Sequence, residues 1–199
     1  MTEAKRSLSD LKRKNIVVYD LEIKKPIGGD IGWGDYREMG ISVGCAFDYR
    51  DMKYRVFLDD NIQELANRLS EPGTLVVAFN HIGFDNRLLK AHCADLKEGL
   101  KCYDLMLVSK KGAIGDQYKM VKGFKLDDHL KALKLPVKSG DGANAPIWWQ
   151  EGKVGKVIDY CMNDVQVERV LFEYVWLTGK MASAYRSDPY AVDLPVIEG

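Results

Sequence analysis

Short apolar blocks alternate along the chain with polar, glycine-rich breaks, and each block has its own period. Residues 15–22, Asn-Ile-Val-Val-Tyr-Asp-Leu-Glu, contain a β-branched apolar run. Such a short continuous run fits a central strand buried on both faces. Residues 41–49 and 54–58 read as the next two strands, with the polar turn 48–53 between them. Ile62, Leu65, Ala66 and Leu69 recur at helical spacing within 61–69, and Pro72-Gly73 ends that helix. A buried strand is predicted at 74–79, a helix from about 84 to 93 and a fifth strand at 102–108. A short helix at 126–133 and a long one from about 154 to 177 follow.

Three leading strands joined by hairpins pair antiparallel, and the later strand–helix alternation gives parallel pairing. The expected fold is α/β: a mixed five-stranded sheet flanked by helices. Residues 1–14 carry Lys5, Arg6, Lys12, Arg13 and Lys14 with few large apolar residues, and read as a flexible basic arm or a short helix, not core. Residues 15–178 form the domain. Residues 179–199, with Pro189 and Pro195, read as an irregular tail. Two loops stand out: 24–36, rich in glycine, and 138–146, which contains Ser139-Gly140-Asp141-Gly142.

Composition narrows the function. The 199 residues suit one domain, and 46% apolar with 29% charged residues is the balance of a soluble globular protein. The 29 basic and 29 acidic residues cancel, which argues against a sequence-independent coater of duplex nucleic acid. Cys45, Cys93, Cys102 and Cys161 form no CxxC pair, so a structural zinc site is not expected. No apolar stretch reaches the roughly 18 residues of a membrane span, and the start lacks a secretory apolar run. A cytoplasmic protein with no membrane partner is expected.

Three features carry candidate chemistry. Asp20 and Glu22 lie two apart at the end of a strand, on one face. Paired acids where a buried strand emerges are costly unless a cation neutralises them. Asp85 follows a buried strand and opens a helix, with Asn80, His81 and Phe84 just before it. Tyr160 and Asp164, four apart on the last long helix, share one face. Taken singly, each acid is an ordinary strand-end or helix residue.

Taken together, these features resemble the DEDD family of 3′-to-5′ exonucleases in its tyrosine-bearing (DEDDy) branch, whose fold is ribonuclease H-like. The D-x-E motif matches Asp20-Leu21-Glu22; the asparagine before an aromatic–Asp pair matches Asn80 and Phe84-Asp85; Y-x-x-x-D matches Tyr160 and Asp164. Cys102-Tyr103-Asp104-Leu105 and Lys125-Leu126-Asp127-Asp128-His129-Leu130 extend the similarity, which spans about residues 15–175. Ile23 stands where many members have threonine, and Pro26-Ile27 replaces a small-residue turn with its apolar wedge.

The resemblance implies a nuclease using two Mg²⁺ or Mn²⁺ ions held by Asp20, Glu22, Asp85 and Asp164. Hard oxygen ligands select such ions, and two of them about 3.5–4 Å apart activate water and stabilise the leaving oxygen. Tyr160 then orients the attacking water. Leu21, Asn80, His81 and Phe84 are the implied substrate-binding residues, and Phe84 and the 24–36 loop are candidates for stacking on terminal nucleotides. The implied substrate is the 3′ end of single-stranded DNA or RNA, with nucleoside 5′-monophosphates as products and a replication or repair partner. A structure-selective endonuclease and a non-catalytic nucleic-acid-binding module stay open as alternatives. His129, Trp148 and Trp149 read as packing residues, and Lys110, Lys111, Lys119, Lys122 and Lys125 as a solvated basic stretch able to follow a phosphate backbone.

Overall fold

A computed structural model describes residues 6–137, 140 and 142–197. Lys5 of the basic arm and Lys138, Ser139 and Asp141 of the glycine loop lie outside the described residues.

The elements run β1 (Ile16–Ile23), α1 (Tyr36–Met39), β2 (Ile41–Asp48), β3 (Lys53–Leu58), α2 (Ile62–Leu69), β4 (Leu75–Ala78), α3 (Asp85–His92) and β5 (Lys101–Asp104). Then come α4 (Leu105–Ile114), α5 (Leu126–Ala132), α6 (Ala145–Gln150), α7 (Val154–Thr178) and a small ribbon of β6 (Lys180–Met181) with β7 (Tyr190–Ala191). The main sheet has the order β3-β2-β1-β4-β5. β1 pairs antiparallel with β2, and β2 with β3, whereas β1–β4 and β4–β5 are parallel. This is the expected five-stranded mixed sheet.

β1 lies at its centre, and its first four residues, Ile16 to Tyr19, are fully buried. Their alternation divides the core. Ile16 and Val18 join the layer formed with α7, while Val17, Tyr19 and Leu21 join the layer of α2 and α3. Asp20 and Glu22 continue the even series, so the strand's period puts both acids on the α7 side.

Three expectations differ from the structure. The fifth strand stops at Asp104, and residues 105–114 are helical. The Asp104 carboxylate caps that helix, accepting the backbone N–H groups of Met106 (3.0 Å) and Leu107 (3.3 Å). The apolar Leu-Met-Leu-Val run fits a buried helix as well as a strand, so its period could not separate the two. In the arm, the short helix is a capped 3₁₀ turn at Leu8–Leu11, but it joins the core: Leu11 is fully buried and the Trp176 indole donates to the Ser7 carbonyl (3.1 Å). In the tail, Met181, Ala182, Ser183 and Tyr190 are buried, and Tyr190 shares a 2.6 Å hydrogen bond with Ser109. Single anchors such as Leu11 and Tyr190 leave no periodic signal.

All four cysteines are free thiols. No helix among the described residues is long and apolar enough to cross a membrane.

Candidate active site

Parallel strands β1 and β4 pair as far as Val18 and Val77; β4 ends at Ala78, while β1 runs on to Ile23 beside β2. Chain leaving their carboxyl ends meets in the crevice where α/β sheets commonly bind ligands. Asp20 and Glu22 come from β1, Asn80 and Phe84 from the β4–α3 connection, Asp85 from the first position of α3, and Tyr160 and Asp164 from α7. All seven, with Leu21, line one cavity of about 650 Å³. Phe79, Met106, Phe124, Lys125, Leu126, Asp127, Gly140 and Gly142 complete its wall.

The acids are set close and deep. Glu22, Asp85 and Asp164 are buried, and half-buried Asp20 opens onto the cavity. The Oδ2 atom of Asp20 is shielded from solvent and has no hydrogen-bond partner among the described residues. Burial, followed by the charges of Glu22, Asp164, Glu168 and Asp85, raises the Asp20 carboxyl well above the usual aspartate range. A carboxylate in such surroundings calls for a cation.

Cys161 sits within this group, its sulfur within 4.8 Å of oxygens from Asp20 and Glu22. Its thiol donates to the Asp20 carbonyl (3.4 Å), and burial pushes it up, holding it as S–H. The carboxylate oxygens of this group suit a hard cation.

Asp104, itself outside the cavity, ties the second motif in place. Beyond capping α4, its carboxylate accepts the backbone N–H groups of Asn80 (3.0 Å) and Ile82 (3.1 Å). Asn80 holds a left-handed φ of 62°, a conformation asparagine tolerates better than most residues. Its carbonyl accepts from Gly83 and Phe84, both at 3.1 Å. A Cβ at Gly83 would stand 2.7 Å from the Asn80 side-chain oxygen, so a larger residue there would push that side chain aside.

Tyr160 is held from two sides. The Trp148 ring meets it edge-on at 6.1 Å, and a Cβ built on Gly142 would come within 3.3 Å of its hydroxyl. The glycine loop therefore packs on the tyrosine.

His81 does not line the cavity. It is fully buried, with Nδ1 3.6 Å from Asp104 and its ring edge-on to Tyr19. Its place is behind the second motif, between Asp104 and Tyr19. His129 is likewise buried and donates from Nδ1 to the Ala182 carbonyl (2.7 Å), a packing role. Burial lowers the basicity of both imidazoles. Trp148 and Trp149 are partly buried against the α7 layer. Of the lysine stretch, Lys110 is buried within α4.

Sequence reasoning missed Glu168. It is buried one turn beyond Asp164 and adds to the negative field at Asp20. The available signal was the four-residue spacing of Tyr160, Asp164 and Glu168 along one helix face. The roles of Phe79, Met106 and Phe124 in the wall were missed because isolated apolar residues carry no mark of what they face.

Solved structures share this fold. A family B DNA polymerase from the hyperthermophilic archaeon Pyrobaculum calidifontis aligns with a TM-score of 0.58 and 16% identity, covering 80% of this chain and 24% of that one. RNase D of Trypanosoma brucei aligns at 0.52 and 15%, covering 86% and 60%. The zinc-bound E. coli ExoI–ssDNA complex aligns at 0.50 and 13%, covering 80% and 40%. The chain thus spans from about a quarter to three fifths of the proteins it matches. No protein-family model and no curated protein matches the sequence. The likeness establishes a ribonuclease H-like fold.

Proposed function

We propose that this chain is a DEDDy-type, metal-dependent 3′-to-5′ exonuclease that trims single-stranded nucleic acid and releases nucleoside 5′-monophosphates. One observation carries the reading: four carboxylates and a tyrosine from β1, α3 and α7 line a single cavity at the carboxyl ends of the parallel strands.

The residues fit divalent cations. The shielded Asp20 oxygen, surrounded by other acids, matches a place where positive charge belongs. Asp20, Glu22, Asp85 and Asp164 would hold Mg²⁺ or Mn²⁺. Such ions, when bound, neutralise the phosphodiester and lower the pKa of water. The chain's own residues supply the rest. Asn80, Leu21 and Phe84 hold the terminal nucleotide against the cavity wall. Tyr160, fixed by Trp148 and Gly142, aims the attacking water at phosphorus through its hydroxyl. A new bond forms from the water oxygen to phosphorus, the bond from phosphorus to the 3′ oxygen breaks, and a proton ends on that oxygen. The likeness to a structure solved with ssDNA supports the substrate class. ExoI has also been solved in an ExoI/SSB-Ct complex, and a replication or repair partner belongs to the same proposal.

A 5′-labelled single-stranded oligonucleotide tests it. With Mn²⁺ the expected product is a ladder descending one nucleotide at a time, absent in EDTA. Asp20→Ala should slow it by ~10²–10³-fold. Equal degradation by the variant sinks the site assignment, and internal cuts without a ladder identify an endonuclease.

A further inference from the structure

Trp33 is 78% exposed, yet the loop that carries it is folded. Gly28 and Ile31 exchange backbone hydrogen bonds (2.8 and 3.2 Å). The Asp35 carboxylate accepts from the Gly32 N–H at 2.7 Å, one residue before the tryptophan. Ile27, Ile31 and Tyr36 pack on the core layer beneath, and the Tyr36 hydroxyl donates to the Gly83 carbonyl (3.4 Å). The loop therefore holds its tip in place while leaving a large apolar ring in water.

The position of that ring is specific. Trp33 meets Phe84 edge-on at 5.9 Å, and Tyr36 meets Phe84 at the same distance. Phe84 is part of the cavity wall, whereas Trp33 is not. Phe84 thus carries two rings on its side away from the other wall residues, and of these Trp33 is the one left in water. Scattered exposed apolar residues are ordinary. A pre-ordered ring at the rim of a cavity, joined to the wall through a second ring, has the layout of a stacking platform, because every base has a π-face.

We propose that Trp33 stacks on an unpaired base of the strand adjoining the nucleotide in the catalytic cavity, so that the site accepts single-stranded 3′ ends of any sequence and disfavours paired ones. The proposal rests on the exonuclease reading. A base in a duplex is stacked on both faces and must be unstacked before it can meet the indole, whereas a base in a free strand presents a face at once. Holding the loop in advance lowers the ordering cost of binding.

The test compares a single-stranded oligonucleotide with the p-nitrophenyl ester of thymidine 5′-monophosphate, a phosphodiester that has only one base. Trp33→Ala should lower the ratio of kcat/KM for oligonucleotide over ester by about tenfold, equivalent to ~1.4 kcal/mol and within the range of one base–aromatic stack. The loss should lie in KM for the oligonucleotide, and Trp33→Phe should restore most of it. An unchanged ratio in Trp33→Ala overturns the proposal and leaves the exonuclease reading standing. If the wild-type protein hydrolyses neither substrate, the exonuclease reading falls and binding decides. Anisotropy of a labelled oligonucleotide in Ca²⁺ should then show about tenfold weaker binding by Trp33→Ala. Equal binding, or none by the wild type, overturns the stacking role.

Discussion

Asp104 shows how one buried side chain can serve a site it never enters. Its two oxygens accept four backbone N–H groups, from Asn80, Ile82, Met106 and Leu107. Hydrogen bonds to a charged group are worth roughly 1.5–3 kcal/mol each, and buried donors left unpaired are costly. Asp104→Ala should therefore destabilise the protein by ~3 kcal/mol or more, measured by urea unfolding. It should also reduce nuclease activity as the Asn80 turn loosens; full activity would remove Asp104 from the site's support. In the sequence Asp104 falls inside a predicted strand, with no sign of this junction. Four motif acids were legible because their order and elements reinforced one another. Glu168 continues the helix face of Tyr160 and Asp164 but belongs to none of the three motifs, so its spacing alone did not single it out.

Elements were readable where their periods were long. β1, α2 and α7 followed their apolar patterns, while α4 and the short α6 did not. The decisive feature at the α4 boundary was the Asp104 cap, which tertiary contacts confirm and composition does not reveal. The β2–α2 junction gives a similar lesson. Asp48 is buried and accepts from Arg68 through both oxygens, at 2.6 and 3.0 Å. Arg68 also donates to Thr74 (2.8 Å), joining α2 to the start of β4. Arg68→Ala leaves a carboxylate buried beside weaker partners and should cost ~3–5 kcal/mol in denaturant unfolding. A loss under 1 kcal/mol would show that Arg50 and Arg55, within 3.7 and 3.8 Å of Asp48, suffice.

The whole molecule carries a charge conflict at the mouth of its sheet. Because the Asp20 pKa is raised in the folded state, folded protein retains a proton that the unfolded chain releases near pH 3.9. This group's contribution to stability thus declines as pH rises from the ordinary aspartate value through its folded value. A divalent cation that binds only the folded state opposes the decline. At a free concentration 100 times its Kd, Mn²⁺ should raise Tm by about 5–10 °C at neutral pH. The rise should shrink in acid and in Asp20→Asn, as differential scanning calorimetry would show. An equal rise in Asp20→Asn would place the cation elsewhere.

β1 is the middle strand of the sheet, and α7, which packs on it, follows every other strand of that sheet along the chain. The nuclease reading thereby gains a timetable. During synthesis Asp20 emerges before its partners on α7, and β1 cannot be enclosed until β4 has paired and the long helix has docked. Contacts so distant in sequence close slowly. An unfinished or partly folded chain therefore holds no assembled site, and the proposed cutting would begin only once the fold is complete.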